Sequence, residues 1–349
     1  MQGREAEVNT ITRRKDFLPI TQELKEYLGT VGRASPLPVS YEDLQDFQET
    51  YPLFDKQGQP TFWSTVVYDS STQASLWESL TSIYSLIKTG DPHAVSHLQV
   101  ERVDYCEFGN SKPFRIRVVN QYNDNYDHFY IKVGDASRIY GLELEHLLSP
   151  NRMSYLIHGD TLVEEHVAGV PGDVFIRDYF PRGDLNEVRI AKEFVKFSER
   201  CFVRLLGDMR SYNYVVDMTP DFEEMQYRVR AIDFDQQSYE GRKNIYLPQF
   251  FKENLAVVQL CSTCLNQPTM KQYQDEERSL IARRYVSEKA RITALCHVMR
   301  ENATEPPEKV HQLREELSDY HHAEAFLSCE TMGEVLEMHL TCSLARHLG

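Results

Sequence analysis

Leu206-Gly207-Asp208-Met209-Arg210-Ser211-Tyr212-Asn213 sets an aspartate and an asparagine five residues apart. Upstream, Asp184-Leu185-Asn186-Glu187 reads as a capping box, and Ile190, Phe194, Phe197, Cys201 and Leu205 recur at helical spacing. A helix is therefore expected to deliver the chain into the Asp208 segment. Downstream, 213–218 and 226–232 read as two strands joined across Thr219-Pro220-Asp221, and Ile232-Asp233-Phe234-Asp235 ends that hairpin. Helix, polar loop and hairpin thus present Asp208, Asn213 and Asp233 in a fixed order.

Further upstream the hydrophobic period changes twice. Leu76, Leu80, Ile83 and Ile87 are spaced for a helix that stops at Gly90, with Pro92 beyond, and Ser40 begins a capping-box-like Ser40-Tyr41-Glu42-Asp43. Residues 1–95 are read as a helical amino-terminal extension whose role is structural support. From His97 the pattern alternates. Leu98, Val100 and Val103, then Phe114, Ile116 and Val118, then Phe129-Tyr130-Ile131-Lys132-Val133 suggest three antiparallel strands. A helix over 137–148 ends at Ser149-Pro150, and 153–158 and 161–167 read as two further strands. From Pro248 onward the chain reads as mostly helical, broken at Pro306-Pro307.

Composition narrows the function classes. The 349 residues carry a formal charge of −15, which argues against nucleic acid or an anionic membrane surface as the partner. No apolar run reaches the roughly 20 residues that a membrane helix needs. Met1-Gln2-Gly3-Arg4-Glu5 lacks the layout of a secretory signal. Seven scattered cysteines argue against a disulfide framework and for a reducing, cytoplasmic setting. Cys261-Ser262-Thr263-Cys264 has no second pair at zinc-site spacing, and His311, His321, His322 and His339 read as surface histidines.

Phosphoryl transfer from a nucleotide needs a carboxylate at the acceptor hydroxyl, with an amide oxygen and a second carboxylate on the bridging magnesium ions. Asp208, Asn213 and Asp233 supply those groups in that order. Four segments resemble the protein-kinase-like superfamily: the strand ending in Lys132, the stretch Leu162-Val163-Glu164-Glu165-His166-Val167-Ala168-Gly169, the Asp208 loop and the Asp233 triplet. The resemblance covers about residues 97 to 250. It implies an α+β, two-lobed fold, with an amino-terminal lobe over 96–170 and a carboxyl-terminal lobe with a helical tail over 171–349.

The resemblance also implies roles. Lys132 would offset the charge of the ATP phosphates, held by Glu143 in preference to Glu145. Glu165 and Val167 would bracket adenine through backbone groups. Gly109, Ser111 and Lys112, in Phe108-Gly109-Asn110-Ser111-Lys112, form the one candidate for a phosphate-covering turn. Asp208 would orient the acceptor and Arg210 would steady the transferring phosphate. Asn213 and Asp233 would hold Mg2+, with Asp235 as a further metal ligand.

Departures from the family are visible. Leu206 stands where His or Tyr is usual, no G-x-G-x-x-G loop exists, and Asp235 replaces the usual glycine. These features are similar to divergent branches, the aminoglycoside-phosphotransferase-like and HipA-like kinases. The implied activity is transfer of the γ-phosphate of Mg2+·ATP to a hydroxyl on a protein or a small molecule. The alternative is a pseudokinase that binds nucleotide or a protein partner. Tyr239 and Tyr246 are expected to pack rather than to be phosphorylated.

Overall fold

Phe114, Ile116 and Val118 alternate with Arg115 and Arg117, and that period of two puts three apolar side chains on one face of a strand and two cations on the other. All three apolar residues are buried, none more than 2% exposed. The computed structural model describes residues 15–55, 58–94, 97–108, 111–222, 224–303 and 305–348. Among them the elements run α1 (Gln22–Thr30), β1 (Glu49–Phe54), β2 (Pro60–Val67), α2 (Ser70–Thr89), β3 (Leu98–Cys106), β4 (Phe114–Asn120), β5 (Tyr126–Val133), α3 (Ala136–Leu148), β6 (Tyr155–His158) and β7 (Thr161–Glu165). There follow β8 (Val170–Pro171), α4 (Gly172–Asp178), α5 (Glu187–Val203), β9 (Tyr214–Asp221), β10 (Glu224–Ala231), α6 (Leu255–Cys264), α7 (Gln267–Ser287), α8 (Lys289–Glu301), α9 (Pro307–His321) and α10 (Met332–Leu344).

The protein is mixed α/β, and it divides into two compact units. The first holds the described residues of Met1–Ile20, Ala34–Asp135 and Tyr155–Glu165; the second holds Thr21–Arg33, Ala136–Ser154 and those of His166–Gly349. In the first unit, seven strands form one antiparallel sheet in the order β1-β2-β3-β4-β5-β7-β6. One sheet face buries Val103, Ile116, Phe129, Ile131 and Val163 against Leu80, Ile83 and Ile87 of α2. That helix has Asp69 as its N-cap, accepting from the Ser71 N–H at 2.9 Å. It ends at Gly90, whose φ of +80° suits the left-handed cap.

The reading of 1–95 as helical holds for α1 and α2 but not between them, where β1 and β2 add two strands to the sheet. Residues 49–54 (Glu-Thr-Tyr-Pro-Leu-Phe) do not alternate, because β1 is the sheet's edge and buries almost nothing. Burial is what imposes a period of two, so an unburied strand leaves no trace of one.

In the second unit α5 buries Ile190, Phe194, Phe197 and Cys201, each large apolar side chain contributing about 1.5–3 kcal/mol. Its N-cap is Asn186, which accepts from the Arg189 N–H at 3.2 Å, two residues later than the capping box read from Asp184. α5 packs against α6 and α7, α1 against α8, and β8–β10 form a small antiparallel sheet in the order β10-β9-β8. Strand β9 continues through Thr219-Pro220-Asp221, so the hairpin turns beyond it.

Two of the four histidines read as surface residues are not. His339 is fully buried and its ring meets that of His321 at 2.9 Å between nitrogens, while its other nitrogen meets the Phe202 carbonyl at 3.0 Å. Burial drives both imidazoles down, His339 to about 3 and His321 to about 4. Tyr239 and Tyr246 are buried, and all seven cysteines are free thiols. Among the described residues no helix is long and apolar enough to cross a membrane.

Candidate functional site

The Asp208 loop leaves α5 through a left-handed turn. Leu205 and Asp208 have φ of +52° and +57°, a region that costs a residue with a side chain energy and that recurs at functional loops. Backbone bonds hold the loop in place. Gly207 N–H donates to Gln236 O at 3.1 Å and Asp208 N–H to Ile245 O at 3.0 Å. A Cβ at Gly207 would stand 3.0 Å from Gln236 O, so the close approach favours glycine there. Leu206 is fully buried and bridges to Gln237.

Within the loop the Asn213 side chain is turned by its neighbour. Its Nδ2 donates to Asp208 O at 2.7 Å, which leaves Oδ1 as the acceptor end of the amide. Asn213 O in turn accepts from Ile232 N–H at 3.0 Å, tying the loop to the start of the Asp233 triplet. Arg210 donates from Nε to Asp208 Oδ1 and from Nη1 to Glu253 Oε1, each at 2.8 Å. Burial raises the Asp208 carboxyl from its ordinary value, and the Arg210 guanidinium pulls it back part of the way.

A buried asparagine braces the loop from the far side. Asn254 Nδ2 donates to Met209 O at 2.9 Å and to Pro248 O at 2.8 Å, and its Oδ1 accepts from the Tyr214 hydroxyl at 2.9 Å. Gly172, at the start of α4, lies so close that a Cβ would fall 2.4 Å from Ser211 O.

Asp233 and Asp235 share one cation. Arg138 of α3 donates from Nη1 to Asp233 Oδ1 at 2.8 Å and to Asp235 Oδ1 at 2.9 Å. The expected ligands Asn213, Asp233 and Asp235 would offer oxygen only, as a hard dication requires, and a guanidinium bridges the two carboxylates. That chemistry fits Mg2+. No cluster of three or more His, Cys, Asp or Glu suited to a metal occurs among the described residues, so the amide oxygen belongs to the set if a metal is held here.

In the first unit Lys132 lies on the polar face of the sheet, 8% exposed. Its Nζ reaches Glu164 Oε2 at 2.8 Å and stands 5.5 Å from the Tyr130 ring centre. Register explains the pair: Tyr130 faces Glu164 and Lys132 faces Leu162, so Lys132 and Glu164 are diagonal neighbours on one face. Glu143, expected to hold Lys132, belongs to the second unit. Each is ion-paired inside its own unit, and Glu143, fully buried, meets Arg291 Nη2 at 2.6 Å with one oxygen and 2.9 Å with the other. Glu145 pairs with Arg204.

Of the expected phosphate turn, Gly109 lies outside the described residues, Ser111 is half-buried and Lys112 is exposed. The Lys112 carbonyl accepts from the Tyr41 hydroxyl at 2.8 Å. Glu165 ends β7, with a carboxylate oxygen 3.9 Å from Lys88 Nζ, and Val167 is buried just past the strand. The chain passes from the first unit to the second between Glu165 and His166.

Arg138, Glu164, Glu253 and Asn254 escape the sequence reading. Their partners lie as much as 97 residues away in the chain, and no local pattern marks them. No family model matches the chain, and no match is found among curated proteins.

Proposed function

We propose that the protein is an atypical kinase of two-lobed, protein-kinase-like fold, using Mg2+ and ATP to phosphorylate a hydroxyl on a protein or small molecule. The observation that carries this reading is the Asp208 loop. Its aspartate has a positive φ, its asparagine is anchored through the nitrogen, which leaves the oxygen as acceptor, and a backbone bond links it to the Asp233 triplet.

Asp208 would orient the acceptor hydroxyl and take up its proton. A carboxylate raised by burial is a better proton acceptor than one in water, which suits that task. Arg210, held between Asp208 and Glu253, places a permanent positive charge beside the acceptor carboxylate for the transferring phosphate. Lys132, paired with Glu164, would offset phosphate charge. Asn213 and Asp233 would hold Mg2+, which when bound neutralises phosphate oxygens.

A second reading, a pseudokinase that serves as a nucleotide-binding or interaction module, is favoured by one observation. Arg138 already bridges the two carboxylates that a metal would use.

The test is calorimetric titration of Mg2+·ATP into the wild type and into Asp233→Asn, with folding checked by circular dichroism. Saturable, metal-dependent binding that weakens at least about tenfold in the variant supports the nucleotide site. Phosphate release or transfer by the wild type then separates kinase from pseudokinase. Absence of binding to a well-folded wild type refutes the kinase and the nucleotide-binding module, and leaves a nucleotide-free interaction module or a different fold.

A further inference from the structure

Helix α3 is seated directly on the turn that carries the two acids. The Ser137 hydroxyl donates to Asp235 O at 3.0 Å and is 2.9 Å from Gln237 O. A Cβ on Gly141 would lie 2.9 Å from Phe234 Cβ, so only a glycine lets helix and turn approach this closely. Arg138 projects from this seat. Its side chain is 3% exposed, whereas those of Asp233 and Asp235 are 36% and 18% exposed. The carboxylates face outward and the guanidinium sits behind and between them, with Nη2 also 3.3 Å from Ile232 O.

A single nitrogen serves both acids. Nη1 is 2.8 Å from Asp233 Oδ1 and 2.9 Å from Asp235 Oδ1. Magnesium binds oxygen at about 2.0–2.1 Å, so a cation chelated by those two oxygens needs the space that Nη1 occupies. The two arrangements exclude one another. The electrostatic balance differs as well: one monocation leaves the carboxylate pair with a net negative charge, and a dication cancels it. The guanidinium cannot be displaced by deprotonation, because it stays charged at every working pH.

From this geometry we infer that Arg138 is a tethered cation that competes with the divalent metal for Asp233 and Asp235. It is a positioning residue that holds the acids together without metal and sets the metal concentration at which they load. The inference rests on the kinase reading above for the metal itself. It explains why an aspartate is tolerated where the family has glycine: Asp235 completes the pocket for Arg138. Because α3 is fixed to the turn by Ser137 and Gly141, displacement requires rotation of the side chain only.

The test uses metal alone, without nucleotide. Mg2+ and Mn2+ are titrated into the full chain as wild type, Arg138→Gln, Arg138→Lys and Asp233→Asn, with binding read by calorimetry and unfolding midpoints measured with and without metal. Removing a like charge within about 4–6 Å predicts roughly tenfold or greater tightening in Arg138→Gln. That variant melts lower than wild type without metal and gains more from adding it, Arg138→Lys falls between, and Asp233→Asn loses binding. In nitrogen-labelled wild type, one arginine side-chain resonance shifts in step with calorimetric saturation, a readout that needs no variant.

If Asp233→Asn abolishes binding but Arg138→Gln binds no tighter than wild type and no arginine resonance moves, the competition is refuted and the kinase reading stands. If no protein binds either metal, Arg138→Gln included, the metal site and the inference fall together.

Discussion

Replacing Glu145 by Gln removes the counter-charge of one of the most deeply buried cations in the protein. The Arg204 side chain is 2% exposed and that of Glu145 4%, and they form an ion pair between the end of α5 and the middle of α3. The other bond of this guanidinium is a neutral one, from Nε to Arg200 O at 3.0 Å. Nearby acids are already engaged, since Glu193 and Glu277 serve Arg200 at 2.7 and 3.3 Å. Glu145→Gln therefore strands a charge, at a cost of about 3–5 kcal/mol. Arg204→Met strands the carboxylate and costs a similar amount.

The double variant strands neither. Its cost falls well below the sum of the two, giving a coupling of about 2–3 kcal/mol. Urea unfolding followed by circular dichroism at 222 nm measures this, because most of the helices lie in the second unit. With a slope of about 2 kcal/mol per molar urea, each single variant shifts the midpoint by roughly 1.5–2.5 M. Both tryptophans, Trp63 and Trp77, are in the first unit, so fluorescence provides an internal control on the other transition. Additive costs, or single costs under about 1 kcal/mol, would mean that the pair is effectively hydrated and that the burial argument is wrong.

Gly172→Ala places a methyl 2.2 Å from Tyr214 Cε2 and 2.4 Å from Ser211 O; overpacking of about 1–3 kcal/mol or more follows, with weakened metal binding because Ser211 belongs to the Asp208 loop. Gly29→Ala, with open space around it in α1, is the control and gains up to about 1 kcal/mol in the same unfolding assay. The acid limb of any phosphotransfer rate is displaced upward from the ordinary aspartate value, because burial raises the Asp208 carboxyl and only its ionised form accepts a proton. Arg210 favours that ionised form, so Arg210→Gln moves the limb to still higher pH; a limb that moves down, or stays, refutes the assignment of Asp208 as base.

Local pattern carried much of this molecule. Leu80, Ile83 and Ile87 before Gly90 spell out α2, the alternation at Phe114 spells out β4, and the stripe from Ile190 to Cys201 spells out α5. In each case one buried face imposes its period on consecutive residues, and period is a property of sequence alone. The Asp208 loop and the Asp233 triplet were legible for the same reason, as short spacings of chemically distinct residues. The first strands were not, because the edge strand β1 buries too little to carry a period.

The partners of the charges were decided by tertiary structure. Lys132 pairs with Glu164 because sheet register sets those two diagonally on one face. Arg138 takes Asp233 and Asp235 because α3 is seated on a turn 95 to 97 residues further on. Ionic partners are matched by where the backbone brings them once the apolar faces have packed. Sequence shows that a charge exists and which element bears it; only the packing of those elements decides what neutralises it, and with it which carboxylates can receive a metal.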